Sequence, residues 1–281
     1  MREKGQTEVA KTLETPVFSR GIEILTEKAE FMRNIRLLLR YDGTRYSGWQ
    51  SQEHEENTIQ GRVTAVLERL TGETIRLAGS GRTDAGVHAL GQTANFRTES
   101  ALSCEELKMG LNRYLPEDIA VYSVEEAELR FHSRLNALRK TYRYRIWNSP
   151  VHNVFERKYL YSLEQELDEK AMEQAAARLL GTHDFRAFSS YRRTKKSTVR
   201  TLEQIRIERR GEELRLEFTG NGFLYHMVRI LAGTLIEVGL HKKSPEEMDR
   251  ILVSLDREQA GFTAPAQGLC LVSVEYADGE S

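Results

Sequence analysis

One loop concentrates the residues able to do chemistry. Residues 79–89 read GSGRTDAGVHA, placing Asp84 beside Arg82 and Thr83, with His88 four residues on. The glycines suggest a phosphate cradle, but their spacing excludes one. Gly79 and Gly81 begin a GxGxxG pattern whose third glycine is replaced by Asp84, and no Gly-Lys-Ser/Thr follows. ATPases and dinucleotide enzymes are therefore disfavoured. An aspartate in a glycine-rich loop ordinarily caps its own backbone; an arginine, a threonine and a histidine around it make a much rarer string. Asp84 must be ionised to act. Burial alone would raise its pKa, and a paired arginine would oppose that.

The remaining chemistry-bearing residues narrow the classes. Cys104 and Cys270 are the only cysteines, so neither a disulfide framework nor a thiolate zinc cage is available. The seven histidines form no HExxH or related ligand spacing. His226 is expected to pack beside Met227 rather than to carry protons. A metal phosphohydrolase built on Asp84 and Asp42 lacks a third carboxylate at a supporting spacing, and Asp42 sits in a Tyr-Asp-Gly turn. Lys and Arg number 41 against 42 Asp and Glu, so the chain is not basic as a whole, yet it hides basic runs. Residues 130–145 hold Arg130, Arg134, Arg139, Lys140, Arg143 and Arg145 with no acid. Residues 185–202 hold Arg186, Arg192, Arg193, Lys195, Lys196 and Arg200, again with none. Phe131, Tyr142, Tyr144, Phe188 and Tyr191 are interleaved, which suits phosphate neutralisation with base stacking.

The elements that must position these residues follow from periodicity. Residues 34–41 read as a strand and 58–70 as a helix, with Ile59, Val63, Val66, Leu67 and Leu70 at helical spacing. Strands are predicted at 73–78 and 92–96, flanking the Asp84 loop. Ser103 and Glu106 have capping-box spacing and open a helix to about 112; 119–124 reads as a strand. The order β-α-β-β-α-β then repeats: a strand at 141–147, a helix at 168–180, a hairpin of 202–208 with 214–218, a long apolar helix at 224–238, an extra helix after Ser244-Pro245 and a strand at 270–276. Two ferredoxin-like βαββαβ halves are expected, an α+β fold. Their antiparallel sheets should meet at a central active-site cleft, formed where the helix-free faces come together. With 281 residues, 40% of them hydrophobic, two modest cores can be built. The boundaries are set at 32–134 and 135–281. Residues 1–31 are read as a disordered extension or as sequence ahead of the true start. No apolar run approaches the ~20 residues of a membrane span, and the first residues lack a signal peptide's apolar core; a cytoplasmic protein is expected.

The string GRTDAGVHA resembles the active-site motif of the TruA-type tRNA pseudouridine synthases. Further motifs share the resemblance in order: YDGT with YSGWQ at 41–50, KTYRYR at 140–145, FLYHMVR at 223–229 and GLCLV at 268–272. Cys270 stands where the family more usually has an aromatic. The resemblance implies isomerisation of uridine at tRNA positions 38 to 40, in the anticodon stem-loop, by a homodimer. It assigns Asp84 as the essential aspartate, Arg82 to displacing and holding the flipped nucleotide, Tyr142 to the uracil ring, Arg229 to pairing with Asp84, and Leu269 to the space beneath the base. Such a reaction breaks a C–N bond, turns the base and forms a C–C bond, so it needs no redox cofactor, nucleotide or metal. Whether Asp84 attacks sugar or base, or abstracts a proton, is open. The RNA footprint is expected on Arg139, Lys140, Arg143, Arg192, Arg193, Lys195 and Lys196, with 191–200 a loop over the RNA. A non-catalytic RNA-binding module, or a synthase acting on other RNA uridines, are the alternatives; a pure binding module would not require the Asp84 loop.

Overall fold

The computed structural model describes residues 32–52, 57–190 and 197–277. The extension expected at 1–31 lies outside them. Five helices of eight or more residues and ten strands are described. In the first half these are β1 (Arg33–Tyr41), α1 (Ile59–Thr71), β2 (Ala78–Gly79), β3 (His88–Thr98), α2 (Cys104–Tyr114) and β4 (Ile119–Ala127). The second half runs β5 (Arg139–Asn148), β6 (Tyr161–Leu163), α3 (Glu169–Arg178), β7 (Gly181–Asp184), β8 (Val199–Arg210), β9 (Glu213–Gly220), α4 (Met227–Gly239), α5 (Glu247–Ser254) and β10 (Leu269–Glu275).

Local signals account for most boundaries. Thr58 caps α1 by accepting from the Gly61 amide, and Ile59, Val63 and Leu67 turn inward. Ser103 and Glu106 close both halves of a capping box on α2. Asp168 caps α3 through the Ala171 amide. α4 is buried almost all round, as its unbroken apolar run requires. It starts three residues later than its apolar pattern, because His226 breaks the helical conformation with a φ of 61°.

Both halves are ferredoxin-like. Within the sheet the first half runs β4-β1-β3-β2 and the second β10-β5-β9-β8. The helix-free faces do not come together, however. The halves join edge to edge in one ten-stranded mixed sheet. β2 is only two residues long and pairs with Ala94 and Asn95, leaving the other end of the same β3 edge open. β10 occupies that end in parallel, with Cys270 opposite His88 and Leu271 opposite Ala89. Gly91 permits the approach, since a Cβ there would lie 2.4 Å from the Val272 carbonyl oxygen.

Register carries one apolar face across this joint. Leu39 and Tyr41 of β1, Ala89 of β3, Leu271 of β10, Tyr142 of β5 and Phe218 of β9 lie on it. Helices α1 and α2 pack together over one side, α3 and α4 over the other. Asp84, from the β2–β3 connection, and Arg229 of α4 meet between those pairs, and this meeting place is the central cleft. The opposite face carries cross-strand ion pairs: Arg36 with Glu125, Arg143 with Glu217 and Arg145 with Glu213.

Candidate active site

The Asp84 loop enters the cleft from the β2–β3 connection and is pinned along its length. The Trp49 amide donates to the Thr83 carbonyl at 3.0 Å, and the Tyr41 hydroxyl meets Thr83 Oγ1 at 2.8 Å. Gln92 Nε2 donates to the Gly81 carbonyl at 3.0 Å. Lys140 Nζ reaches across from β5 to the Ser80 carbonyl at 2.5 Å. Gly48 has φ 98°, and a Cβ there would lie 2.6 Å from the Thr83 oxygen. The YSGWQ segment is thus the bed on which the loop rests, and glycine at 48 is a steric requirement.

Asp84 meets Arg229 across the cleft. Arg229 Nη1 lies 3.2 Å from Asp84 Oδ2, within the salt-bridge range expected from the sequence. The same guanidinium donates from Nε to the Ala264 carbonyl at 2.7 Å, while the Ala264 amide donates to the Arg229 carbonyl at 3.1 Å. Arg229 is therefore held at both ends. The Asp84 side chain keeps 21% of its surface exposed, so it is paired yet reachable.

The floor beside this pair is apolar. Tyr142 is buried and packs edge-on against Phe223, ring centroids 5.1 Å apart. Burial pushes its phenol well above the ordinary range, and the Asp84 charge adds to that, so Tyr142 is a neutral phenol at physiological pH. Leu269 is also buried and lies opposite Tyr144 in the β10–β5 register, on the same face as Tyr142. Cys270 alternates to the other face, so the unusual residue does not line the cleft. Arg82 is exposed and donates from Nε to Gln50 Oε1 at 3.0 Å, on the rim of a cavity of about 180 Å³ that Trp49, His132 and Arg134 also line. The larger concavity, about 510 Å³, opens on the opposite face among Asp42, His88, Tyr159 and Arg145, and does not include Asp84.

The two histidines left without a role separate clearly. His88 Nδ1 accepts from the Gly43 amide at 3.1 Å, and Nε2 lies 3.1 Å from the Lys158 carbonyl. It ties the foot of the loop to the second half, beside Asp42, which also accepts from the Tyr159 hydroxyl at 3.0 Å. Asp42 and Asp84 thus serve different partners. Among the described residues no three His, Cys, Asp or Glu side chains cluster as metal ligands. His226 does more than pack beside Met227; it sits at the centre of the site. Its Nε2 is 3.5 Å from Asp84 Oδ2, and Nδ1 is 2.8 Å from Ser190 Oγ. The one signal for this in the sequence is a histidine three residues before the arginine.

The expected RNA-binding cations divide. Lys140 is turned inward to the loop backbone, and burial lowers its amine pKa to about 8. Arg143 is taken up by Glu217 at 2.6 Å. Arg139 is half-exposed and sits more loosely between Glu203 at 3.4 Å and Glu275 at 3.6 Å. Within the first basic run there is no acid, but β8, β9 and β10 bring acids opposite it. Arg192, Arg193, Lys195 and Lys196 lie outside the described residues.

Comparison with known proteins gives a consistent answer. The family model described as "tRNA pseudouridine synthase" matches residues 38–136 and 175–277. The chain is 48% identical over 245 residues to "tRNA pseudouridine synthase A 2" of Clostridium tetani, covering 87% of this chain and 99% of that one. It is 48% identical to "tRNA pseudouridine synthase A" of Bacillus sp. strain KSM-64 and 45% identical to that of Acetivibrio thermocellus, each over 245 residues, 87% of this chain and all of the relative. With motifs, fold and relatives in agreement over most of its length, the chain belongs to the tRNA pseudouridine synthase family, enzymes that isomerise uridine in tRNA.

Proposed function

We propose that the protein converts uridine to pseudouridine at positions 38 to 40 of the tRNA anticodon stem-loop, with Asp84 as the reacting carboxylate. The observation carrying this reading is the Asp84–Arg229 pair: an accessible carboxylate, charge-compensated at 3.2 Å, beside a buried floor of Tyr142 and Leu269. The guanidinium sets a positive charge against the carboxylate and holds its direction. A uridine inside the stem must leave its stack, at a cost of a few kcal/mol. The apolar floor offers the flipped base a surface, and Arg82, exposed and bonded to Gln50, fills the vacated position. Because Tyr142 is held as a neutral phenol, loss of the C5 proton through water is favoured over direct abstraction by a phenolate. No step calls for a redox group, a nucleotide or a metal.

The RNA footprint is assigned to Arg192, Arg193, Lys195 and Lys196, with Arg139 and Arg82 at its margin. Lys140 and Arg143 are assigned to the framework. Reading by RNA shape suits a protein without a base-specific code. A homodimer in the cytoplasm, with tRNA touching both subunits, completes the proposal.

The test is tritium release from tRNA transcripts labelled at uridine C5, in wild type and Asp84→Asn. Forming the C–C bond must expel that hydrogen. Release by wild type from transcripts with uridine at one of positions 38, 39 or 40, and none by a folded, tRNA-binding Asp84→Asn, is the expected result. Equal release by both proteins would remove Asp84 from the mechanism. Release only from uridines elsewhere would remove the anticodon assignment.

A further inference from the structure

The residue at the entrance to α4 adopts a backbone conformation that side chains avoid. His226 has φ 61°, the left-handed region, which non-glycine residues occupy rarely and mostly as Asn, Asp or His. The turn aims the imidazole at Asp84 rather than into the helix. Its plane is fixed by stacking on Tyr225, with centroids 3.7 Å apart. Two polar atoms complete the arrangement: Ser190 Oγ at 2.8 Å from Nδ1, and Asp84 Oδ2 at 3.5 Å from Nε2.

We propose that His226 is a positioning residue for Asp84, acting with Arg229 to commit Oδ2 and leave Oδ1 as the reacting oxygen. Ser190 selects the tautomer that makes this possible. The inference rests on the reading that Asp84 reacts, and adds to it which oxygen does so and what holds it.

The tautomer follows from the neighbours. A neutral imidazole has one N–H. If it sat on Nδ1, the Nε2 lone pair would face a carboxylate oxygen. With the N–H on Nε2 it donates toward Asp84, and the Ser190 hydroxyl donates to Nδ1. The second arrangement satisfies every group. The ring is neutral because burial holds its pKa below the ordinary histidine value, with Arg229 and Arg257 pushing the same way against Asp84. Arg229 Nη1 and His226 Nε2 both address Oδ2. Among the described residues, no hydrogen bond reaches Oδ1, and Tyr142 is felt by Asp84 only through space. The Arg229 bond, with the imidazole N–H facing the same oxygen, holds the carboxyl plane, while the free oxygen keeps its lone pairs for the substrate.

The experiment separates the ring from the backbone. His226→Gly keeps the left-handed turn and removes the donor. His226→Asn keeps the turn and supplies an amide N–H. Ser190→Ala leaves the strained position untouched and removes only the tautomer selection. Each is compared with wild type and Asp84→Asn by C5 tritium release. In His226→Gly, kcat is expected to fall about tenfold, the upper end for one ordinary hydrogen bond, with KM nearly unchanged. His226→Asn is expected to recover most of the loss, and Ser190→Ala to lower kcat by less. Wild-type kcat in a folded His226→Gly would overturn the proposal, as would a raised KM with kcat intact. Should His226→Gly not fold, wild-type kcat in Ser190→Ala overturns it instead. Full activity in Asp84→Asn would fell the underlying reading, an outcome distinct from a silent His226.

Discussion

At the scale of single residues, the site turns on how few atoms each charged group has to spare. Arg229 uses Nε on the Ala264 carbonyl and Nη1 on Asp84, two bonds in fixed directions from one planar group. A lysine has a single nitrogen and cannot span both. Arg229→Lys is therefore expected to retain a folded protein and lose about a hundredfold in kcat, on the order of 2.7 kcal/mol, measured by C5 tritium release beside a thermal melt. Lys140 offers the opposite case. Its Nζ donates to the Ser80 carbonyl, and burial lowers its pKa to about 8, so it is expected to anchor the loop rather than meet a phosphate. Lys140→Ala is expected to lower kcat without changing the salt dependence of tRNA binding. Replacing Arg192, Arg193, Lys195 and Lys196 with Ser is expected to flatten that dependence by roughly 0.7–0.9 for each phosphate left without its cation. Titrations at several salt concentrations read both; a flattened slope in Lys140→Ala would return it to the footprint. These contrasts explain what was legible. The pairing of Asp84 with Arg229 was, because a motif string and a helix position marked them. The partners of Lys140 and Arg143 were not, because a basic run in one dimension says nothing of the groups that neighbouring segments place beside it.

At the scale of elements, the Asp84 loop owes its course to a segment about forty residues earlier in the chain. Trp49 and Tyr41 bond Thr83, and Gly48 passes close beneath its carbonyl. Gly48→Ala forces a Cβ into an oxygen at 2.6 Å while straining a positive φ. A destabilisation of about 1–3 kcal/mol is expected from strain of this kind, read by urea unfolding. Activity is expected to fall further than stability, because the loop must shift to admit the methyl. A variant equally stable and equally active would show that the loop does not depend on this bed. Helix starts were readable in the sequence where a side chain caps them, as at Thr58, Ser103 and Asp168. The start of α4 was not, because apolar spacing continues smoothly through a residue whose backbone leaves the helix. Strands β6 and β7, three and four residues long, carry too few alternations to be seen. The joint of the halves rests on a two-residue parallel pairing, which no periodicity announces.

At the scale of the molecule, the same side chains that knit the halves make stability depend on pH, with a sign set by the direction of their shifts. His88 bridges the Gly43 amide and the Lys158 carbonyl, while His226 is enclosed at the cleft; burial lowers both pKa values below 6.5. As pH falls through 6.5, the unfolded chain takes up protons that the folded chain refuses, so stability falls with it. Asp42 and Glu213 continue the trend at lower pH. Asp42 is held low by Thr44, Tyr159 and His88 against its partial burial, and Glu213 is drawn to about 2 by Arg145 and Arg215. Both stabilise above the ordinary carboxylate range, and that contribution is lost as they are forced to protonate. On the alkaline side Lys140, with a folded pKa of about 8 against 10.5, makes stability rise between those values. Above 10 the sign reverses, because Tyr41, Tyr142 and Tyr144 are held neutral by burial and the unfolded chain loses their protons first. The melting temperature is therefore expected to climb from pH 5.5 to a maximum on the alkaline side of neutrality and then decline. His88→Asn is expected to melt lower than wild type at pH 7.5 but to lose less between pH 7.5 and 5.5. A wild-type melting temperature that rose on acidification through 6.5 would mean that His88 and His226 are not held neutral, and the tautomers that place the Asp84 loop and its carboxylate would have to be reassigned.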